Sequence, residues 1–184
     1  PKTIDNDIWG TDITFGFQSA VDIAANVLDN IHTTATSHGR IFIVEVMGHK
    51  VGWLTLHAGI AGSADAILLP EIPYSIDSIA RMIDQRSKAG KRFSIIAIAE
   101  GARSKREAKM SKKEFKAARA AENYPSIAYR LAKELGDATG HEIRVAVPGH
   151  IQRGGSPCPY DRVLSTRFGA ATAKLIKDEN YGNM

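Results

Sequence analysis

Near the start of the chain, Thr3-Ile4-Asp5-Asn6-Asp7 crowds two carboxylates and two neutral polar side chains around one apolar residue. In an extended backbone, Asp5 and Asp7 point to the same side. Two carboxylates that close need a cation, a shared proton or solvent. One of them suits a hard, oxygen-seeking ion such as Mg²⁺, and the other suits a general base. The same spacing also fits a solvated turn or a helix cap built on Asx hydrogen bonds. Far along the chain, Pro148-Gly149-His150-Ile151-Gln152-Arg153-Gly154-Gly155 combines glycines with an imidazole and a guanidinium. A guanidinium suits an oxyanion, because its planar fork of donors is permanently charged. Between these two segments, Met47-Gly48-His49-Lys50, Pro70-Glu71 and Glu100-Gly101 repeat the mixture of glycine and polar groups.

Other site chemistries lack their residues. The chain has no G-x-x-x-x-G-K-[ST] loop, no G-x-G-x-x-G fingerprint, no H-E-x-x-H pair and no G-x-S-x-G elbow. The single cysteine, Cys158, excludes an internal disulfide and a Cys-rich zinc site, and it fits a reducing compartment. Pro157 and Pro159 flank it in what reads as a loop, so it is a bystander.

The polar segments follow runs that read as strands. Arg40–Met47, Ala66–Leu69, Phe93–Ala99 and Ile143–Val147 are apolar on both faces and rich in β-branched residues. Such runs suit a parallel sheet covered on both sides. Helical patterns lie between them, over Gly16–Ile31, Val51–Gly62, Ser75–Ala89, Tyr124–Leu135 and Asp161–Ile176. The alternation predicts an α/β fold: a doubly wound, mostly parallel sheet of about four strands with helices on both faces. In such a sheet, ligands gather at the carboxyl ends of the strands, where the polar segments fall.

Length and charge set the remaining bounds. At 184 residues, 43% hydrophobic and 24% charged, the chain has an ordinary globular balance and enough length for a core without staples. Its longest uninterrupted apolar run, Ile95–Ala99, is far short of a membrane span, so no membrane partner is expected. The net charge of +4 is local. Arg103 to Arg119 holds eight basic residues against Glu107 and Glu114. This stretch reads as an exposed, solvated helical insertion over residues 103–123. Phe115 is its single aromatic residue and it carries no binding motif, so no nucleic-acid partner is expected. No signal peptide is visible. The chain begins at Pro1 and not at Met, which reads as a fragment or a processed product.

Taken in order, PKTIDNDIWGTD, TFGFQSA, SHGRIFIVEVMG, LLPEIP, AEGA and GHIQRGGSPCPYDR resemble the 6-phosphofructokinase family, over roughly positions 1 to 176. The resemblance implies phosphoryl transfer to the 1-hydroxyl of fructose 6-phosphate, giving fructose 1,6-bisphosphate in glycolysis in the cytoplasm, with Mg²⁺ as cofactor. It implies that Asp5 is the base, that Thr3 lies beside the transferring phosphoryl and that Asp7 positions the metal. Met47 and Gly48 would line the sugar, and Glu100 would bond its hydroxyls. His150 and Arg153 would hold the 6-phosphate. Arg40 and Arg144 match arginines that reach into a neighbouring subunit's sugar site, which implies a homo-oligomer.

Two departures bear on the donor. Bacterial ATP-dependent members usually carry arginine where His49 stands, and a largely neutral imidazole is no permanent clamp. His49 is therefore expected only to line the site, with Lys50 or a residue outside the chain compensating. Lys2 stands where ATP users commonly have glycine, which tilts the reading towards pyrophosphate over ATP. The Gly-rich and GGD-type segments of the family's donor site are absent from these 184 residues. The organisation expected is therefore a catalytic segment over 1–14 belonging to a donor-binding domain outside the chain, a fructose 6-phosphate-binding domain over 15–160, and a C-terminal helix over 161–184 returning towards that donor-binding domain. Gly16–Ile31 is expected to expose apolar surface that the same domain covers. On this view the chain alone is inactive. The alternative is a non-catalytic sugar-phosphate-binding α/β module.

Overall fold

The computed structural model describes residues 1–182. Four strands, β1 (Ile41–Val46), β2 (Ala66–Leu68), β3 (Ser94–Ala99) and β4 (Ile143–Ala146), form one sheet in the order β2-β3-β1-β4. Every pairing is parallel, with Ile41 opposite both Ser94 and Ile143, and Ala66 opposite Ile96. The two central strands, β1 and β3, are buried along their whole length. Their unbroken apolar runs reflect burial on both faces.

Helices α1 (Phe17–His38) and α2 (Trp53–Ala61) cover one face; α3 (Ile76–Lys88) and α5 (Ile127–Thr139) cover the other. Phe17, Leu28 and Leu54 meet Phe42, Val44 and Ile95 beneath α1 and α2. Ile79, Ile83, Leu131 and Leu135 meet Ile43, Ile96 and Ile98 on the opposite face. Each fully buried Ile or Leu contributes roughly 1.5–3 kcal/mol. The doubly wound expectation therefore holds.

The boundaries of two helices differ from the sequence reading by three residues or more. Helix α1 continues past Ile31 to His38, because Ala35 is buried and Thr33 and Thr36 bond back to the carbonyls of Asn30 and His32. Gly39, at φ 63, ends it with its amide bonded to Ala35. Helix α5 begins at Ile127 and not Tyr124. Its first turn is capped from a distance: Ala128 N–H donates to the buried Glu45 carboxylate of β1 at 2.9 Å. This bond accounts for a carboxylate inside an apolar strand.

The basic stretch is not one solvated helix. A short 3₁₀ turn (Glu107–Lys109) precedes α4 (Lys112–Ala121), whose start is set by a Ser111–Glu114 capping box. Glu107 is 2% exposed and anchors the segment to the body of the molecule. It accepts from Arg130 of α5 at 2.8 and 3.0 Å, and it pairs with Arg119 at 2.9 Å. Arg130 also reaches Glu122 at 2.7 Å and the Tyr74 hydroxyl at 3.1 Å. Burial alone would raise the Glu107 carboxyl, but bonds from Arg130 and Ser104, with Arg119 beside them, bring it down to about 2.

Helix α6 (Pro159–Lys177) docks by its first turn. Asp161 accepts from the amides of Gly16 (3.1 Å) and Ser19 (3.0 Å), so it caps the start of α1. The apolar residues of α1 are packed on the sheet and α2, contrary to the exposure expected of it; Tyr160, Val163 and Phe168 of α6 are exposed instead. Positions 183 and 184 of the expected C-terminal segment lie outside the described residues. Among the described residues, no helix is long and apolar enough to cross a membrane.

Candidate active site

The site gathers where the strands end. The chain leaves β1 through Met47, Gly48 and His49, and this turn bends back over the mouth of β3. Gly48 has φ 147 and His49 has φ 52, left-handed conformations that cost little only at glycine. The strained turn is held from below by Glu100, which follows β3. Its carboxylate accepts from Gly48 N–H at 3.2 Å and His49 N–H at 2.5 Å. The two segments touch so closely that a Cβ on Gly101 would stand 2.2 Å from the His49 carbonyl oxygen. Gly101 is therefore fixed by space.

Gln152 performs the matching task from the β4 side. It is 1% exposed, inside a 3₁₀ turn over Gly149–Arg153. Its amide oxygen accepts from Met47 N–H at 3.2 Å, and its amide nitrogen donates to the Gly149 carbonyl at 3.0 Å. One buried side chain thus locks the Met47 turn to the loop that presents His150 and Arg153, both exposed. The sequence reading placed Gln152 in the loop but gave it no role. A lone amide inside a Gly-rich turn is the signal that was available.

The acidic segment is bolted on by its backbone. Ile4 is buried against the α1 side of the core. Thr14 donates its hydroxyl to the Thr3 carbonyl at 2.7 Å, and Thr14 N–H donates to the Asn6 side chain at 2.8 Å. Asn6 takes φ 53, and Asp5 N–H donates to the Thr3 hydroxyl at 3.2 Å. The local turn is made by the Thr3 hydroxyl, and Asn6 instead ties the segment to Thr14 eight residues on. Lys2 is exposed and pairs in a parallel bridge with Phe15.

Asp5 connects these pieces. Burial raises its carboxyl above the ordinary value, and Asp7 and Glu100 push in the same direction. Arg153 and His49 pull it down. The first segment and the ends of β1, β3 and β4 therefore act on one carboxyl. Among the described residues, no group of three or more His, Cys, Asp or Glu side chains is placed to hold a metal. Asp7 is exposed and its charge acts on the Asp5 carboxyl, so the two carboxylates stand near one another.

Two of the expected residues lie elsewhere. Arg40 directly precedes β1, and Arg144 lies opposite Phe42 at the start of β4. Both contact Glu142, Arg40 at 3.1 Å. The length of β1, about 20 Å of strand, separates Arg40 from the carboxyl-end site, and Arg144, level with Phe42, stands about 15 Å short of it.

Fold and site together define an α/β domain of the doubly wound, parallel class, with its polar site along the carboxyl ends of the strands. Within that class the chain belongs to the phosphofructokinase family, whose model matches residues 1–176. An ATP-dependent 6-phosphofructokinase of Spirochaeta thermophila is 55% identical over all of this chain and 50% of its own length. The phosphofructokinase structure from Saccharomyces cerevisiae superposes with a TM-score of 0.72 at 38% identity, covering 90% of this chain and 20% of that one. A pyrophosphate-dependent phosphofructokinase from Marinobacter aquaeolei reaches 0.77 at 27% identity, covering 97% and 44%. The chain spans about half the length of the curated relatives it matches.

Proposed function

We propose that this chain forms the fructose 6-phosphate-binding portion of a 6-phosphofructokinase, which phosphorylates the sugar's 1-hydroxyl in cytoplasmic glycolysis. The observation that carries the reading is the action of Arg153, Glu100, His49 and Asp7 on the single carboxyl of Asp5. That shared influence supports a base and a phosphate-binding guanidinium acting on one phosphorylated alcohol substrate.

In this reading Arg153 and His150 hold the 6-phosphate, while Met47 and Gly48 shape the sugar pocket. Glu100 both braces the turn and faces the hydroxyls. Asp5 takes the proton of the 1-hydroxyl as its oxygen attacks phosphorus, and Thr3 stands beside the phosphoryl. A carboxyl raised by burial and by Asp7 is a better proton acceptor than a solvated aspartate. Mg²⁺, held through Asp7, would neutralise donor phosphate charge. Residues 1–14 belong functionally with the donor-binding half, 15–160 with the sugar, and 161–184 with the return towards that half. The exposed apolar residues of α6 support this division. The position of Arg40 and Arg144 far from the site in their own chain supports a role in a neighbouring subunit's sugar site.

For the donor, two observations pull apart. Lys2 favours pyrophosphate, since an ammonium there neutralises a terminal phosphate and crowds a nucleotide's α-phosphate. The relatives at 44–55% identity carry ATP-dependent names. A coupled assay supplied with each donor in turn separates them.

The full-length enzyme tests the base. Asp5→Ser should lower kcat by about 10²–10⁴ and leave fructose 6-phosphate affinity nearly intact. A non-catalytic sugar-phosphate module would show no turnover to lose. The 184 residues alone should show no turnover with either donor, and clear turnover would refute the proposed division.

A further inference from the structure

Pro70-Glu71, just past the end of β2, has no task in the proposed function. Its placement is nonetheless specific. The two residues are the centre of a tight turn in which Ile72 N–H donates to the Leu69 carbonyl at 3.4 Å. Proline presets the backbone at the first central position of such a turn. Leu69 is buried, so the turn is fixed to the core. Glu71 itself is exposed. Its Oε1 still accepts from Gly52 N–H at 2.8 Å, across 19 residues. Gly52 stands where the turn after β1 passes into α2. Val51 N–H closes that turn on the Gly48 carbonyl at 3.0 Å, and Leu56 N–H donates to the Gly52 carbonyl at 2.8 Å. The approach is close: a Cβ on Gly52 would stand 2.7 Å from the other carboxylate oxygen of Glu71 and 2.8 Å from the Leu69 side chain.

The segment that carries Met47, Gly48 and His49 is thus gripped from each of the other three strands. Gln152, after β4, holds the Met47 amide; Glu100, after β3, holds those of Gly48 and His49; Glu71, after β2, holds that of Gly52. Gly48 at φ 147 and His49 at φ 52 lie between the outermost grips. Backbone in such conformations persists only where its surroundings hold it. Without Glu71, every side-chain grip would fall at the entry of the turn and none at its exit. Glu71, His49 and Glu100 also line one cavity of about 480 Å³, so this grip lies beside the site. We infer that Glu71 is a positioning residue: by holding Gly52 it keeps the Met47–His49 backbone in the shape that receives the sugar. The inference rests on the proposed function, which assigns that backbone to the sugar pocket. Asp5 and Thr3 come from a segment fastened separately through Thr14, so the base does not depend on this grip.

Steady-state kinetics of the full-length enzyme at saturating donor test the assignment. Glu71→Ala should raise KM for fructose 6-phosphate about fivefold or more, as loss of a charge-assisted bond to the site's backbone implies, and leave kcat within about twofold. Glu71→Gln keeps an acceptor oxygen at the same reach and should stay within about twofold of the wild-type KM. Glu71→Asp, one methylene short of Gly52, should resemble the alanine variant. A wild-type KM in both Glu71→Ala and Glu71→Asp would overturn the assignment. So would a parallel loss of kcat and of thermal stability in Glu71→Ala with no rescue in Glu71→Gln, the outcome of a merely structural role. If Glu71→Ala does not fold, the contrast between the Gln and Asp variants decides alone: a raised KM in Asp only supports the grip, and equal KM values overturn it. Failure of the wild-type enzyme to turn over fructose 6-phosphate with either donor would instead bring down the proposed function itself.

Discussion

Glu107→Gln probes the buried network that joins the basic stretch to α5. The wild-type carboxylate receives both nitrogens of the Arg130 fork and pairs with Arg119, at 2% exposure. Its carboxyl falls from the ordinary 4.5 to about 2. That difference corresponds to about 3 kcal/mol of folding free energy at neutral pH. Loss of one partner from a buried pair commonly costs 3–5 kcal/mol. Arg130 keeps Glu122 and Tyr74 in the variant, which places the expected loss at the low end, about 3 kcal/mol. The pH dependence has a fixed sign. A lowered carboxyl stabilises fully above 4.5, and the stabilisation fades as acid protonates it on the way to about 2. The gap between wild type and Glu107→Gln should therefore be widest near pH 7 and shrink to about 1 kcal/mol at pH 3. Urea unfolding followed by circular dichroism at several pH values reads this directly. A gap below about 1 kcal/mol at pH 7, or one that stays constant into acid, would refute the network as the anchor of this segment.

Gly101→Ala forces a Cβ against the His49 carbonyl at 2.2 Å, so the Met47–His49 turn must move. A stability loss of about 1–3 kcal/mol and at least a tenfold loss of fructose 6-phosphate affinity are expected in the full-length enzyme; unchanged affinity would show that the turn does not shape the sugar pocket. Arg153→Ala should weaken fructose 6-phosphate by about 2 kcal/mol, roughly thirtyfold, as removal of a charged phosphate contact requires. Isothermal titration that finds wild-type affinity would reject Arg153 as the phosphate ligand.

The strands were legible because β1 and β3 are buried on both faces, and a parallel sheet stamps that burial on the sequence as unbroken runs such as IFIV and SIIAIA. The line of polar residues at the strand ends followed from the same pattern, since locating a strand also locates where it ends. What escaped was every feature whose partner is remote in the chain. The Thr-rich end of α1 has poor intrinsic helix propensity, and it is helical because Ala35 packs into the core. Glu107 read as one charge in a solvated run because its main partner, Arg130, lies 23 residues away. Glu45 and Asp161 cap helices across separations of 83 and 145 residues.

These remote carboxylates share a function that local patterns do not express. Glu45 sets the start of α5, α5 carries Arg130, Arg130 holds Glu107, and Glu107 holds Arg119 behind Phe115. Glu100 and Gln152 likewise fix the Met47–His49 turn from its two sides. Each link buries a polar group that would be costly if left unpaired, so each link has few alternative geometries. A loop-borne site at the edge of a parallel sheet needs such constraints, because its own backbone is exposed and conformationally free. The polar residue inside an apolar run is the readable trace of this arrangement: Glu45 in IFIVEV announces that some donor must come to meet it, although only the folded chain shows that the donor is Ala128.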